Sequence, residues 1–175
     1  MSETPPPLDI RPVEEADFEE MYQIINDAAT AYRGIIPADR WHEPYMPREE
    51  LRAGIADGIE FSGAYENGRL IGVMGIQDRG EVALIRHAYV RTARRNAGIG
   101  GKLLETLCAS CAKPILIGTW TDAVWAVRFY QKHGFILIAD SERKSRLLRR
   151  FWGVPERQIE TSVVLEDSRR PYCGG

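Results

Sequence analysis

Arg94-Arg95-Asn96-Ala97-Gly98-Ile99-Gly100-Gly101-Lys102 joins an apolar run, Val82 to Val90, to a helical pattern from about Ile99 to Ala112. Leu103, Leu104 and Leu107 share one face of that helix. Glycines at such a junction let backbone N–H groups approach a ligand closely, and the opening helix adds its partial positive charge. No acid occurs between Glu81 and Glu105, and the same window holds Arg86, Arg91, Arg94, Arg95 and Lys102. The segment therefore favours a polyanion of the pyrophosphate kind.

Three phosphate-loop spacings can be told apart here. A P-loop needs Gly-x-x-x-x-Gly-Lys-Ser/Thr, but position 96 is Asn and position 103 is Leu. A dinucleotide fingerprint needs Gly-x-Gly-x-x-Gly. Gly98 and Gly100 fit it, Leu103 does not, and a hairpin precedes the loop instead of a first βαβ unit. The spacing Arg/Gln-x-x-Gly-x-Gly/Ala fits from Arg95 to Gly100 without exception.

Outward from the loop, toward the N-terminus, Glu60 to Tyr65, the Asn67-Gly68 turn and Arg69 to Gln77 read as a hairpin. Asp78-Arg79-Gly80 turns the chain into Val82 to Val90, completing an antiparallel meander. Before it lie a short strand, Leu8 to Arg11, and a helix, Glu14 to Ala29. An irregular stretch, Tyr32 to Met46, then leads to a helix from Arg48 to Ala56. Toward the C-terminus, Pro114 opens a continuous apolar strand, Ile115 to Gly118, of the kind buried on both faces. Thr121 or Asp122 is placed to cap a helix running to about His133, with Val124, Val127 and Tyr130 on one face. Gly134 ends it. Phe135 to Ile138 reads as a strand, residues 142–152 as a basic helical insertion and Ile159 to Leu165 as the last strand.

The order of these elements resembles the GCN5-related N-acetyltransferase (GNAT) superfamily: a meander, this loop and helix, a buried strand, then a helix ending in a Phe-Tyr…Gly-Phe signature. That signature stands here as Arg128-Phe129-Tyr130-Gln131-Lys132-His133-Gly134-Phe135. The two motifs cover residues 82–138, and the resemblance extends more loosely over residues 8–165. It implies an α/β (α+β) fold with a mixed, mostly antiparallel sheet of about six to seven strands flanked by helices. It also implies acetyl-CoA as cosubstrate, bound in the opening between the strand before the loop and the buried strand after it. Carried over residue by residue, the backbone of Arg95, Asn96, Ala97, Gly98, Ile99, Gly100 and Gly101 would hold the pyrophosphate, with Lys102 neutralising charge nearby. Ala88, Tyr89 and Val90 would pair with the pantetheine arm, and Arg128 and Lys132 would reach the nucleotide end.

For chemistry, the resemblance implies direct attack of a primary amine on the thioester. Tyr130 matches the general acid that protonates the leaving thiolate. A backbone N–H near Tyr89 or Val90 would meet the oxyanion. Two groups offer themselves as the base. His87 has an imidazole whose ordinary pKa near ~6.5 suits the task, and Glu81 would act through water. His87 equally suits an ordinary strand residue bonded to a neighbour, and a water chain to backbone carbonyls is a further route. Tyr32, Arg33, Trp41 and Tyr45 fall on the segment that walls the acceptor site in this superfamily. Their aromatic faces, among many acids, suit a cationic amine, though packing of the loop on the sheet would use the same residues. The basic insertion is placed to flank the active site or a dimer contact, or to be a solvated helix face. One departure stands out: members often carry Asn seven residues before the tyrosine, where this chain has Ala123. A non-catalytic acyl-CoA sensor is accordingly the alternative reading.

Composition bounds the rest. The chain has 175 residues, one domain at roughly 100–200 residues each. Residues 1–7 are expected as a flexible tail, 8–166 as the domain and 167–175 as a C-terminal tail. Apolar residues make up 44% and charged residues 27%, the balance of a globular chain. Runs of about 18 apolar residues are absent, so no membrane span is expected. Pro5, Pro6 and Pro7 occupy the place of a signal peptide's apolar core. With three cysteines, this predicts reduced thiols and a cytoplasmic protein. Cys108 and Cys111 form a lone C-x-x-C near a helix end with no second ligand pair, so no metal is expected. Residues 1–60 carry a net −9, residues 61–152 a net +8 and residues 153–175 a net −1. That division suits an anionic ligand on the middle of the chain and a cationic partner near its N-terminal part. With no nucleic-acid motif, coenzyme A accounts for the basic middle and no nucleic-acid partner is expected. Many superfamily members are dimers, which puts a homodimer among the expected assemblies.

Overall fold

Seven strands hydrogen-bond in the order β1-β2-β3-β4-β5-β7-β6 in the computed structural model, which describes residues 7–174. They are β1 (Asp9–Pro12), β2 (Ile59–Glu66), β3 (Arg69–Asp78), β4 (Ala83–Val90), β5 (Ile115–Trp120), β6 (Phe135–Leu137) and β7 (Ser162–Asp167). The pairs β1–β2, β5–β7 and β6–β7 are antiparallel, whereas Ala83–Ile85 of β4 run parallel to Ile115–Ile117 of β5. The helices are α1 (Phe18–Ala28), α2 (Arg48–Ala56), α3 (Ile99–Ser110), α4 (Val124–Lys132), α5 (Ser141–Leu147) and α6 (Glu156–Glu160). Of the tail expected over residues 1–7, only Pro7 lies within the described residues; it is exposed.

The chain divides into two compact units, each drawn from separate stretches of sequence. The first comprises residues 7–30, 43–76 and 87–110. Phe18, Met21, Ile24 and Ile25 recur at three and four residues, so α1 presents one apolar stripe. That stripe meets Ile59, Phe61 and Tyr65, which alternate along β2, with Leu51, Leu70 and Val73 completing the core. Asn67 and Gly68 both take positive φ, 53° and 76°, as a two-residue hairpin turn between β2 and β3 requires.

The second unit comprises residues 31–42, 77–86 and 111–174. Its core sets Val82, just ahead of β4, and Leu84, Leu116 and Val164 from the strands against Leu147, Leu148, Phe151 and Ile159. β5 is buried only over Ile115–Ile117, so the continuous burial expected along it ends before Gly118. The basic stretch 142–152 is helical as expected, but its second half is a π-helical turn, Leu148–Trp152, closed by Gly153 at φ 61°. This turn lays the Trp152 indole on Gly118, where an added Cβ would lie 3.0 Å from Cε2.

Two local readings are corrected. Neither Thr121 nor Asp122 caps α4: Ala123 occupies the N-cap and no side-chain bond closes it. The last strand begins at Ser162, not Ile159. Pro155 and Glu156 start a helical turn there, and the buried Ile159 sits on that turn's core side. Most of the insertion's charge is spent within the unit. Arg149 pairs with Glu156 at 2.7 Å and Arg150 with Glu81 at 2.7 Å. Arg143 grips Glu166 with two bonds of 2.9 Å and also donates to the Tyr172 carbonyl. Tyr172, on the segment expected as a tail, is 7% exposed and meets Phe151 edge-on.

The Arg143 bond holds the Glu166 carboxyl below its ordinary range. A depressed carboxyl stabilises the fold above its unfolded value near ~4.3, and that stabilisation is lost as pH falls through the folded value. Arg143→Met should therefore cost about 2 kcal/mol at pH 7, since it leaves a half-buried charge unpaired. Urea unfolding checks this, because the gap between variant and native chain should shrink at pH 3.5.

Candidate active site

The glycine-rich loop belongs to the first unit and is tied at its start to β3 and α1. Arg91, just after β4, donates from its backbone N–H to the Ile71 carbonyl at 2.9 Å and from Nε to the Leu70 carbonyl at 3.0 Å. Asp27, near the end of α1, accepts the Thr92 N–H at 2.8 Å. A 3₁₀ turn, Thr92–Arg94, follows, and Arg94 pairs with Glu66. Asn96 and Gly98 then take left-handed φ of 64° and 76° and feed the chain into α3. Below the helix start lies Gly72 of β3, where a Cβ would come within 3.1 Å of Ile99 Cγ2 and 3.3 Å of Val90 Cγ2. Sequence reasoning passed over Asp27 and Gly72, because a helix acid and a strand glycine carry no signal of what they support.

This arrangement sorts the cations of the basic window. Arg91 and Arg94 serve the scaffold, and Arg86 donates to Gln77 at 3.1 Å. Arg95 and Lys102 are exposed, as are Asn96, Ala97 and Gly98; Ile99 and Gly101 are buried and Gly100 is half-buried. The first N–H groups of an α-helix have no acceptor within it, and the macrodipole places partial positive charge there. The loop thus offers backbone donors, a helix terminus and an exposed arginine, a donor set that fits a pyrophosphate.

His87 takes a left-handed φ of 55° within β4, two residues beyond the last β5 pair, Ile85 with Ile117. Histidine tolerates that region better than most residues, at a cost of about 1–2 kcal/mol. Such an irregularity re-aims a side chain, and the imidazole stacks 6.1 Å from the Phe61 ring. Ala88, Tyr89 and Val90 follow, all half-buried, with Tyr89 packed on the first unit's core. Tyr45, half-buried, also belongs to this unit.

The second unit holds Tyr130, 7% exposed, with Phe129 and Phe135 at 5.1 and 6.1 Å. Burial, with a smaller contribution from Tyr32, pushes its hydroxyl above the ordinary tyrosine range. Tyr32 lies 5.7 Å from Trp125, an aromatic the sequence reading did not single out, and the Arg33 guanidinium lies 5.5 Å from the Trp41 ring. Arg128 and Lys132 are exposed on α4, and Ala123 is fully buried. Glu81, just ahead of β4, is gripped by Arg150 and accepts the Tyr172 hydroxyl. Among the described residues, no three His, Cys, Asp or Glu side chains group to hold a metal ion. None of the described helices is long and apolar enough to cross a membrane.

Residues 19–150 match the family model described as an acetyltransferase (GNAT) domain. Solved structures with a similar fold include a GNAT-family acetyltransferase from Staphylococcus aureus Mu50. It is 19% identical, with a TM-score of 0.69 over 91% of this chain and 98% of that one. The PaiA N-acetyltransferase of Thermoplasma acidophilum, solved with coenzyme A, is 19% identical, with a TM-score of 0.66 over 95% of this chain and 99% of that one. The yncA protein of Salmonella typhimurium, solved with acetyl-CoA, is 22% identical, with a TM-score of 0.57 over 75% of this chain and 81% of that one. At these identities the likeness is one of fold. No curated protein matches the sequence.

Proposed function

The chain belongs to the GNAT acetyltransferase family, and we propose that it is an N-acetyltransferase that passes the acetyl group of acetyl-CoA directly to a primary amine of a small molecule or protein. One observation carries the reading: Asn96 and Gly98 turn left-handed ahead of α3, in a loop where Arg91 and Arg94 are committed to the scaffold and Arg95 stays exposed. Backbone donors from Arg95 to Gly101 hold the pyrophosphate, with Lys102 close by. Ala88, Tyr89 and Val90 supply backbone bonds to the pantetheine arm, and Arg128 and Lys132 meet the nucleotide. Tyr32, Arg33, Trp41 and Tyr45 wall the acceptor side, where aromatic faces favour a cationic amine.

The cosubstrate supplies an activated thioester; the chain moves the protons. The amine needs a lone pair to attack, so its ammonium proton must leave. Of the two candidate bases, Glu81 holds Arg150 and Tyr172 in the second unit, and His87 stands at the left-handed turn within β4; we take His87 as the acceptor to be tested. Tyr130 protonates the departing thiolate. His87→Asn keeps a side chain tolerant of left-handed backbone. It should lower kcat/KM by about 10²-fold at neutral pH while leaving acetyl-CoA affinity unchanged. Unchanged turnover would assign the deprotonation to a water chain instead.

Calorimetric titration with acetyl-CoA, followed by thiol release across a panel of amines, tests the whole reading. A second reading, a non-catalytic acyl-CoA sensor, is favoured by Ala123, which leaves a common polar contact position empty. A sensor would bind acetyl-CoA and release no thiol with any amine.

A further inference from the structure

Gln77, near the end of β3, is fully buried, and its side-chain oxygen accepts a bond from Arg86 at 3.1 Å. A buried amide is costly unless it is bonded. Here the bond fixes a guanidinium on β4.

Ile85 and Ile117 are the last pair between β4 and β5, so Arg86 and Gly118 are the first residues of the opening beyond it. Side chains alternate along a strand. Val82, Leu84 and Leu116 face the second unit's core, which puts Arg86 and the Gly118 position on that same face. Gly118 has no side chain, and the Trp152 indole takes the room. An added Cβ would lie 3.0 Å from its Cε2, 3.1 Å from Cζ2 and 3.2 Å from Nε1. The π-helical turn Leu148–Trp152 delivers this indole, and π-helical turns are frequent at functional sites. The opening thus begins with a guanidinium on one strand and an indole over the next.

A guanidinium carries five N–H donors in a rigid fork, so it can keep Gln77 and still meet a carboxylate with two of them. The indole offers an apolar wall. The second unit holds 15 Lys and Arg against 10 Asp and Glu, a balance that disfavours a polycation as acceptor. We propose, resting on the acetyltransferase reading, that the acceptor is an amino-carboxylate with an apolar side chain. Arg86, aimed by Gln77, takes its carboxylate, and Trp152 walls its side chain. Acetylation forms the N–C bond, breaks the C–S bond, sends one ammonium proton to the thiol and another to solvent, and leaves the carboxylate unchanged.

Thiol release from acetyl-CoA by the full chain tests this with matched acceptors. Phenylalanine and leucine are set against phenethylamine and isopentylamine, which lack only the carboxylate. The native chain should prefer each carboxylate-bearing amine by about 10²-fold or more in kcat/KM. Arg86→Gln should erase that preference while calorimetry shows unchanged acetyl-CoA affinity. Gln77→Leu should raise KM for phenylalanine about tenfold at constant kcat, a split that a merely structural loss would not give. Trp152→Ala should lower kcat/KM for phenylalanine more than for glycine. Thermal melting followed by circular dichroism confirms that each variant folds. Turnover without a carboxylate preference, or a preference that survives Arg86→Gln, overturns the inference and leaves the acetyltransferase reading standing. Thiol release with none of a broad panel of amines overturns that reading, and this inference with it.

Discussion

Gly98→Asp should abolish measurable acetyl-CoA binding by calorimetry, while Gly98→Asn stays within about threefold of the native affinity. The pair of variants isolates charge from shape. Gly98 sits at φ 76°, and a Cβ there would meet nothing within 4 Å. A side chain is therefore limited by backbone conformation, not by collision. Asn and Asp both tolerate the left-handed region, and Asn96 already occupies it two residues earlier at φ 64°. What separates the variants is one negative charge. Beside a pyrophosphate, a like charge at about 4 Å costs up to about 4 kcal/mol near a protein surface, or about 10³-fold in affinity. Equal weakening by both variants would mean that backbone strain, not an anion on the loop, sets the result. Native affinity in Gly98→Asp would remove the cosubstrate from this loop altogether.

The second large effect is expected from Tyr130→Phe: kcat lower by about 10²-fold or more, with acetyl-CoA affinity little changed. The substitution removes one oxygen from a ring packed on Phe129 and Phe135, so the buried shape survives. Burial keeps the hydroxyl above the ordinary tyrosine range. It stays protonated through neutral pH, as the proposed donor to a leaving thiolate must. The native enzyme should consequently show no loss of kcat from this group between pH 7 and about 9.5. Its alkaline limb, if Tyr130 sets it, lies above about pH 10. Stopped-time thiol release over that range checks both points. An unchanged kcat in Tyr130→Phe would give the proton to water and leave Tyr130 a packing residue.

Much of the fold was legible because it is written in local pattern. The stripe of Phe18, Met21, Ile24 and Ile25, the Asn67-Gly68 turn and the run Ile115 to Ile117 each carry their element's period within a few residues. Errors fell where two patterns overlap. Ile159 to Leu165 alternates well enough to read as strand throughout, but Pro155 at a helix N-cap and a core position for Ile159 claim the first part for a helical turn. Thr121 and Asp122 have the right chemistry for a cap, yet the helix starts after Ala123, because capping depends on where the backbone turns as much as on which side chain is near.

The sequence by itself determined the glycine loop, the order of elements around it and the family, since backbone donors, helix starts and apolar periods depend on near neighbours along the chain. Only the tertiary structure decided how the charges are spent. Arg91 serves the Leu70 carbonyl, Arg94 serves Glu66, Glu81 is held by Arg150 and Tyr172, and Asp27 reaches across 65 residues to the Thr92 N–H. A charged side chain has several chemically equal partners in a sequence. Which one it takes is set by distances that exist only once helices and strands have packed, and those distances separate the residues that build the loop from those left to face a ligand.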